Sequence, residues 1–84
     1  MLVWKVDPDY SEPARRAKIQ GTVLLRVEIG KDGQVGDMRV DQGIGLGLDE
    51  KAMEAVRRWK FRPGMRNGRA VATIAVVEVH FRLL

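Results

Sequence analysis

The sequence predicts a small α+β domain, a two-layer arrangement with a three-stranded antiparallel sheet and two helices on one face, in the order α-β-β-α-β. Three observations carry this. Residues 22–29, "TVLLRVEI", place Val23, Leu25, Val27 and Ile29 on one face and Thr22, Leu24, Arg26 and Glu28 on the other, the period of a strand. Leu48, Ala52, Ala55, Val56 and Trp59 recur at i, i+4, i+7, i+8 and i+11, one apolar stripe of a helix. Residues 70–84, "AVATIAVVEVHFRLL", close the chain with a long β-type run. A chain of 84 residues makes one domain and buries only about 60% of its unfolded surface, so core material is scarce.

Residues 1–9 read as an extended N-terminal segment, with Val3 and Lys5 alternating against Trp4 and Val6 until Asp7-Pro8-Asp9 breaks the run. Ser11 suits a helix N-cap and Pro13 a first turn, so "SEPARRAKIQ" predicts a short helix closed by Gly21. After the strand at 22–29, Asp32-Gly33 signals a hairpin turn. "VGDMRVD" returns with Met38 and Val40 inward and Asp37, Arg39 and Asp41 outward; Val35 falls outside that alternation. "QGIGLG" is a connecting loop. A helix follows over 48–61, with Asp49 and Glu50 at its positive end and Arg57, Arg58 and Lys60 at its negative end. Phe61 and Pro63-Gly64 stop it, and Asn67-Gly68 turns the chain into the last strand. With the first strand central, the hairpin strand and the last strand flank it, which leaves residues 70–84 on an edge. No repeat or boundary divides residues 1–84.

Several kinds of chemistry find no parts. The chain has no cysteine, one histidine and one serine, and Ser11 is spent as a cap, which argues against an enzyme of the Ser/His/Asp kind. Metal binding lacks further His or Cys ligands, and no cofactor is expected. "GIGLGLD" sits between a strand and a helix like a phosphate loop, but Asp49 and Glu50 would face the phosphate and no P-loop lysine follows. No apolar run approaches the roughly 20 residues of a membrane helix. A net charge of +4 and a pI near 10.0 raise nucleic acid or an anionic surface as partners, yet the cations look scattered and aromatic residues are few, so nucleic-acid binding is set aside. In "RRWKFRPG" the aromatics read as core anchors, while the arginines stay available.

The last run is the remaining functional candidate. From 70 to 81 it carries no Lys, Pro or other device that blunts an exposed edge, and it outlasts every mate within the chain. Either residues 1–6 or a second copy cover it, or it accepts a strand from another protein.

"GTVLLRVEIGKDGQVGDMRV", "LDEKAMEAVRRWKFRPG", "NGRAV" and a terminal "VEVHFRL", in that order and spacing, resemble the C-terminal domain of the TonB energy transducers of Gram-negative bacteria. The resemblance covers residues 8–84. It departs from many relatives at Tyr10-Ser11, where they have Tyr-Pro and this chain delays proline to Pro13. It implies a periplasmic domain of a longer protein anchored in the inner membrane by an N-terminal helix and a Pro-rich linker. Implied partners are ExbB and ExbD, through other parts of that protein, and TonB-dependent outer-membrane transporters, whose TonB-box peptide adds to the last strand. The accepting positions would be Val71, Thr73, Ala75, Val76, Val77, Glu78, Val79, His80 and Phe81, with Arg57 and Arg58 at the rim. A strand-swapped homodimer and a TolA-like envelope-spanning interaction domain are the rivals.

Overall fold

In the computed structural model, which describes residues 2–83, the elements are β1 (Leu2–Trp4), α1 (Glu12–Arg16), β2 (Gly21–Ile29), β3 (Val35–Gln42), α2 (Leu48–Arg57), β4 (Lys60–Phe61), β5 (Gly64–Arg66), β6 (Arg69–Val71) and β7 (Thr73–Phe81). Met1 and Leu84, the outer ends of the two expected terminal segments, lie outside the described residues.

The main sheet has the order β3-β2-β7, antiparallel throughout, with β2 in the centre as the alternation of residues 22–29 predicts. Its inward face is apolar: Val23, Leu25, Val27 and Ile29 from β2 and Val79 and Phe81 from β7 are buried against Ala14, Leu48, Ala52, Val56, Trp59 and Phe61. Burying side chains of this size stabilises by about 1.5–3 kcal/mol each, which is what a scarce core must supply. The opposite face is bare; Arg26, Glu28, Ile74, Val76, Glu78 and His80 are exposed on it.

The β2–β3 ladder explains the misfit of Val35. Between the pairs Val27↔Met38 and Ile29↔Val35, β2 advances two residues and β3 three. The extra residue is a bulge, and it returns Val35 to the side that packs on the core.

Helix α1 begins as expected. The Ser11 hydroxyl accepts from the Ala14 amide at 3.3 Å and donates to the Leu46 carbonyl at 2.6 Å, so it both caps the helix and ties the loop before α2. Its closure differs from the expectation. Lys18, at φ 55°, ends α1, with its amide on the Arg15 carbonyl and the Ile19 amide on that of Ala14. Gly21 is instead the first residue of β2, opposite Phe81. A lysine takes the left-handed position because the chain must reverse at once to enter β2. Ser11→Ala removes both bonds and leaves the Leu46 carbonyl unpaired, so we expect a loss of about 1–2 kcal/mol, read by urea denaturation.

Helix α2 ends at Arg57, one turn before the expected boundary at 61. Lys60 and Phe61 are extended because their main chain has better partners. Leu2 and Trp4 pair with Phe61 and Lys60, the Phe61 amide donates to the Gly33 carbonyl at 3.0 Å, and the Lys60 ammonium reaches the Gln34 side-chain carbonyl at 2.7 Å. The Trp59 indole N–H donates to the Val6 carbonyl at 2.8 Å and holds the N-terminal segment on the helix exit.

The terminal run is also shorter than its composition implies. Residues 69–71 form β6, which pairs with β5 across a two-residue turn, Asn67 at φ 50° and Gly68 at φ 77°. Ala72 breaks the strand, and β7 begins at Thr73. The turn explains this: it commits residues 69–71 to a local mate. The expectation that the run outlasts any mate is thereby corrected, since β7 and β2 match residue for residue from Gly21↔Phe81 to Ile29↔Thr73.

Candidate functional site

Strand β7 is paired on one side only. Its ladder with β2 runs over all nine residues without a shift, and among the described residues no strand pairs with its other side. In an antiparallel ladder alternate residues turn both main-chain groups toward one neighbour, so about half of β7 presents N–H and C=O groups to the open side. Nothing on the strand interrupts the row: there is no proline or bulge between Thr73 and Phe81.

The strand's two faces differ. Thr73, Ala75, Val77, Val79 and Phe81 face the core, half-buried at the start and buried at the end. Phe81 is anchored by the Tyr10 ring, edge-on at 5.5 Å. The Tyr10 hydroxyl itself donates to the Ile19 carbonyl. On the bare face, Ile74 and Val76 are 63% and 54% exposed. Beyond them the His80 Nδ1 lies 2.9 Å from the Thr22 hydroxyl and its Nε2 3.4 Å from a Glu78 carboxylate oxygen. Of these contacts the Thr22–His80 one joins β2 to β7 on the solvent side, while Glu78 and His80 share strand β7. Past Phe81 the chain is clipped by the Leu83 amide, which donates to the Gln20 side-chain carbonyl at 2.7 Å.

The structure brings Thr73, Ala75, Val76, Val77, Glu78, Val79, His80 and Phe81 onto one strand. Val71 is separated from them: it lies in β6 opposite Gly64. Arg57 and Arg58 are exposed at the end of α2, which packs on β2 and β3; Arg58 lines a depression with Val6, Asp7, Pro8, Asp9 and Glu54 rather than with β7. The N-terminal segment does not cover the edge, because β1 pairs with β4. Trp59 and Phe61 are core residues, as their spacing implies. In the Gly-rich loop, Asp49 Oδ1 accepts from the Ile44 amide at 2.8 Å and the Gly45 amide at 3.4 Å, so the chain's own carboxylate takes the donors a phosphate would need. What sequence reasoning missed is the β5–β6 hairpin, for which Asn67-Gly68 was the available signal.

This arrangement of strands and helices can be set beside known proteins. The profile of the family described as Gram-negative bacterial TonB protein C-terminal matches residues 6–83. The chain belongs to this family. Protein TonB of Xanthomonas campestris is 38% identical over 77 residues, 90% of this chain and 34% of the relative. Protein tonB2 of Pseudomonas aeruginosa is 36% identical over 90% of this chain and 28% of its own length. Protein TonB of Vibrio cholerae is 31% identical over 94% of this chain and 33% of its own. The TonB relatives are thus matched over about a third of their length. The fold agrees as well: the solution NMR structure of the Pseudomonas aeruginosa TonB C-terminal domain superposes with a TM-score of 0.76 at 25% identity, covering 99% of this chain and 85% of that one. The domain is a TonB C-terminal domain, and its small mixed α+β architecture is that of the family.

Proposed function

We propose that this TonB C-terminal domain binds a peptide from an outer-membrane transporter by adding it as a fourth strand beside β7. The whole protein then couples the proton motive force of the inner membrane to uptake. On this reading the domain is periplasmic and anchored through a segment outside residues 1–84. ExbB and ExbD engage other parts of that protein, and the transporter offers its TonB box.

One observation carries the reading: a nine-residue strand whose second side pairs with no strand among the described residues, in a member of this family. Main-chain pairing makes little demand on side-chain identity, so one edge can serve several transporters. Each backbone hydrogen bond nets about 0.5–1.5 kcal/mol, and ordering a flexible residue costs a comparable amount. The free peptide therefore binds modestly, and tethering across the periplasm supplies an effective concentration near the millimolar range. Modest affinity also allows release after each cycle.

The test is titration of periplasm-facing transporter peptides against the domain, with amide exchange followed along β7. Protection confined to alternate residues of Thr73–Phe81 is the expected result; protection that does not change sinks the reading. A second copy pairing through the same edge would instead appear as concentration-dependent mass without peptide. Arg57 and Arg58 contribute through their field, not through edge contacts. Their joint reversal to glutamate should weaken binding about two- to threefold at low salt and flatten its salt dependence, measured by fluorescence anisotropy.

A further inference from the structure

The positive charge of this chain is concentrated in one stretch. Residues 55–77 hold Arg57, Arg58, Lys60, Arg62, Arg66 and Arg69 and no carboxylate, whereas the rest of the chain holds nine cations against eleven acids. The net +4 is therefore +6 in this stretch and −2 elsewhere. The β5–β6 hairpin lies at the centre of it.

Within that hairpin Arg66 and Arg69 face each other directly across the strands, next to the Asn67-Gly68 turn. Like charges in that relation repel and destabilise a two-stranded ribbon. Arg62, Arg66 and Arg69 are all exposed, and among the described residues none has a carboxylate within salt-bridge distance. The hairpin thus bears an electrostatic cost with no compensating carboxylate among the described residues. Two guanidinium groups opposite each other can hold a carboxylate from both sides, because each presents a planar fork of donors.

Position ties this charge to the edge. Gly64, at the hairpin base, lies so close to the first residue of β7 that a Cβ there would sit 2.3 Å from the Thr73 methyl. The hairpin therefore projects from the end of the sheet at which β7 begins, the end toward which a strand laid along β7 and continued beyond Thr73 would run. We infer that the Arg66–Arg69 pair, with Arg62, receives acidic side chains of the docked peptide, so that the partner's preferred segment is a strand flanked by Asp or Glu where it passes Thr73. This inference rests on the strand-addition reading and adds the partner's chemistry to it. An acidic peptide suits the site better than an anionic membrane: Met65 is the single large apolar side chain exposed on the hairpin, and no aromatic residue accompanies it.

The experiment uses transporter N-terminal peptides in two forms, one with its native Asp and Glu and one with Asn and Gln in their place. The unsubstituted domain should prefer the acidic form, and R66Q/R69Q should weaken that form about fivefold while changing the neutral form less than about twofold. Raising the salt should remove the difference. The melting temperature of R66Q/R69Q should not fall, since a repulsive pair is relieved. An equal effect on both forms, or none, overturns the inference. If both forms bind and the response to R66Q/R69Q is charge-blind, this inference fails while strand addition stands; if neither form binds, both fall. Loss of binding to phosphatidylglycerol-containing vesicles with no change in peptide affinity would make the hairpin a lipid contact and overturn the inference as well.

Discussion

Proline at whichever of positions 77 and 78 turns its N–H to the open side should abolish most peptide binding and leave the fold intact; proline at the other should unfold the domain. Val77 and Glu78 are consecutive residues of β7, paired with Leu25 and Leu24, so their main-chain groups point to opposite sides of the strand. On the ladder side, proline removes a bond to β2 and forces its ring into the sheet, a loss of about 3 kcal/mol or more. On the open side the same residue costs the isolated domain little. There it removes a donor from the incoming strand and puts a ring in its way, so affinity should fall about tenfold or more. Val79 is a poorer probe, because it is buried and its replacement would also damage the core. Thermal melting and peptide titration on the same two variants give the answer. An open-side proline variant that melts like the unsubstituted domain and binds the peptide equally well would place the docking site elsewhere.

Gly33→Ala should be among the most destabilising single-methyl additions in this chain. Gly33 has φ 80°, and a Cβ on it would lie 2.0 Å from the Phe61 carbonyl oxygen, a backbone atom that cannot turn aside. The same glycine accepts the Phe61 amide on its own carbonyl. Its turn is therefore the seat on which the extended segment after α2 rests. Strain at a left-handed alanine adds to the displaced contact, for a loss of roughly 3–4 kcal/mol. In a domain of this size that lowers the melting temperature by about 15 °C or more. A fall of only a few degrees would mean that residues 60–61 can shift without consequence for the sheet.

Much of this was legible in the residues because one face of the sheet is buried. Alternation across 22–29 can be satisfied in only one register, so the central strand and its neighbours follow from it. The apolar stripe of α2 is equally plain, and all five of its members are buried. What was not legible depends on partners distant in sequence. Lys60 and Phe61 continue a helical pattern and are extended only because β1 and the Gly33 turn supply bonds there. The break at Ala72 is invisible in a run of small and branched residues; it follows from the commitment of residues 69–71 to β5. The open edge follows from the topology, and β7 stops short of Val71 for the same reason. The charge concentration is legible only through the missing acids: residues 55–77 hold six cations and no carboxylate.

The unbroken nine-for-nine seam between β7 and β2 has a mechanical side. A tug delivered along the strand axis loads every rung of such a seam in shear, so no single rung can fail before its neighbours share the strain. A load hung on the outer flank of β7 would be borne by the domain's longest regular join, while the bulged seam on the far side of β2 stays out of the line of force.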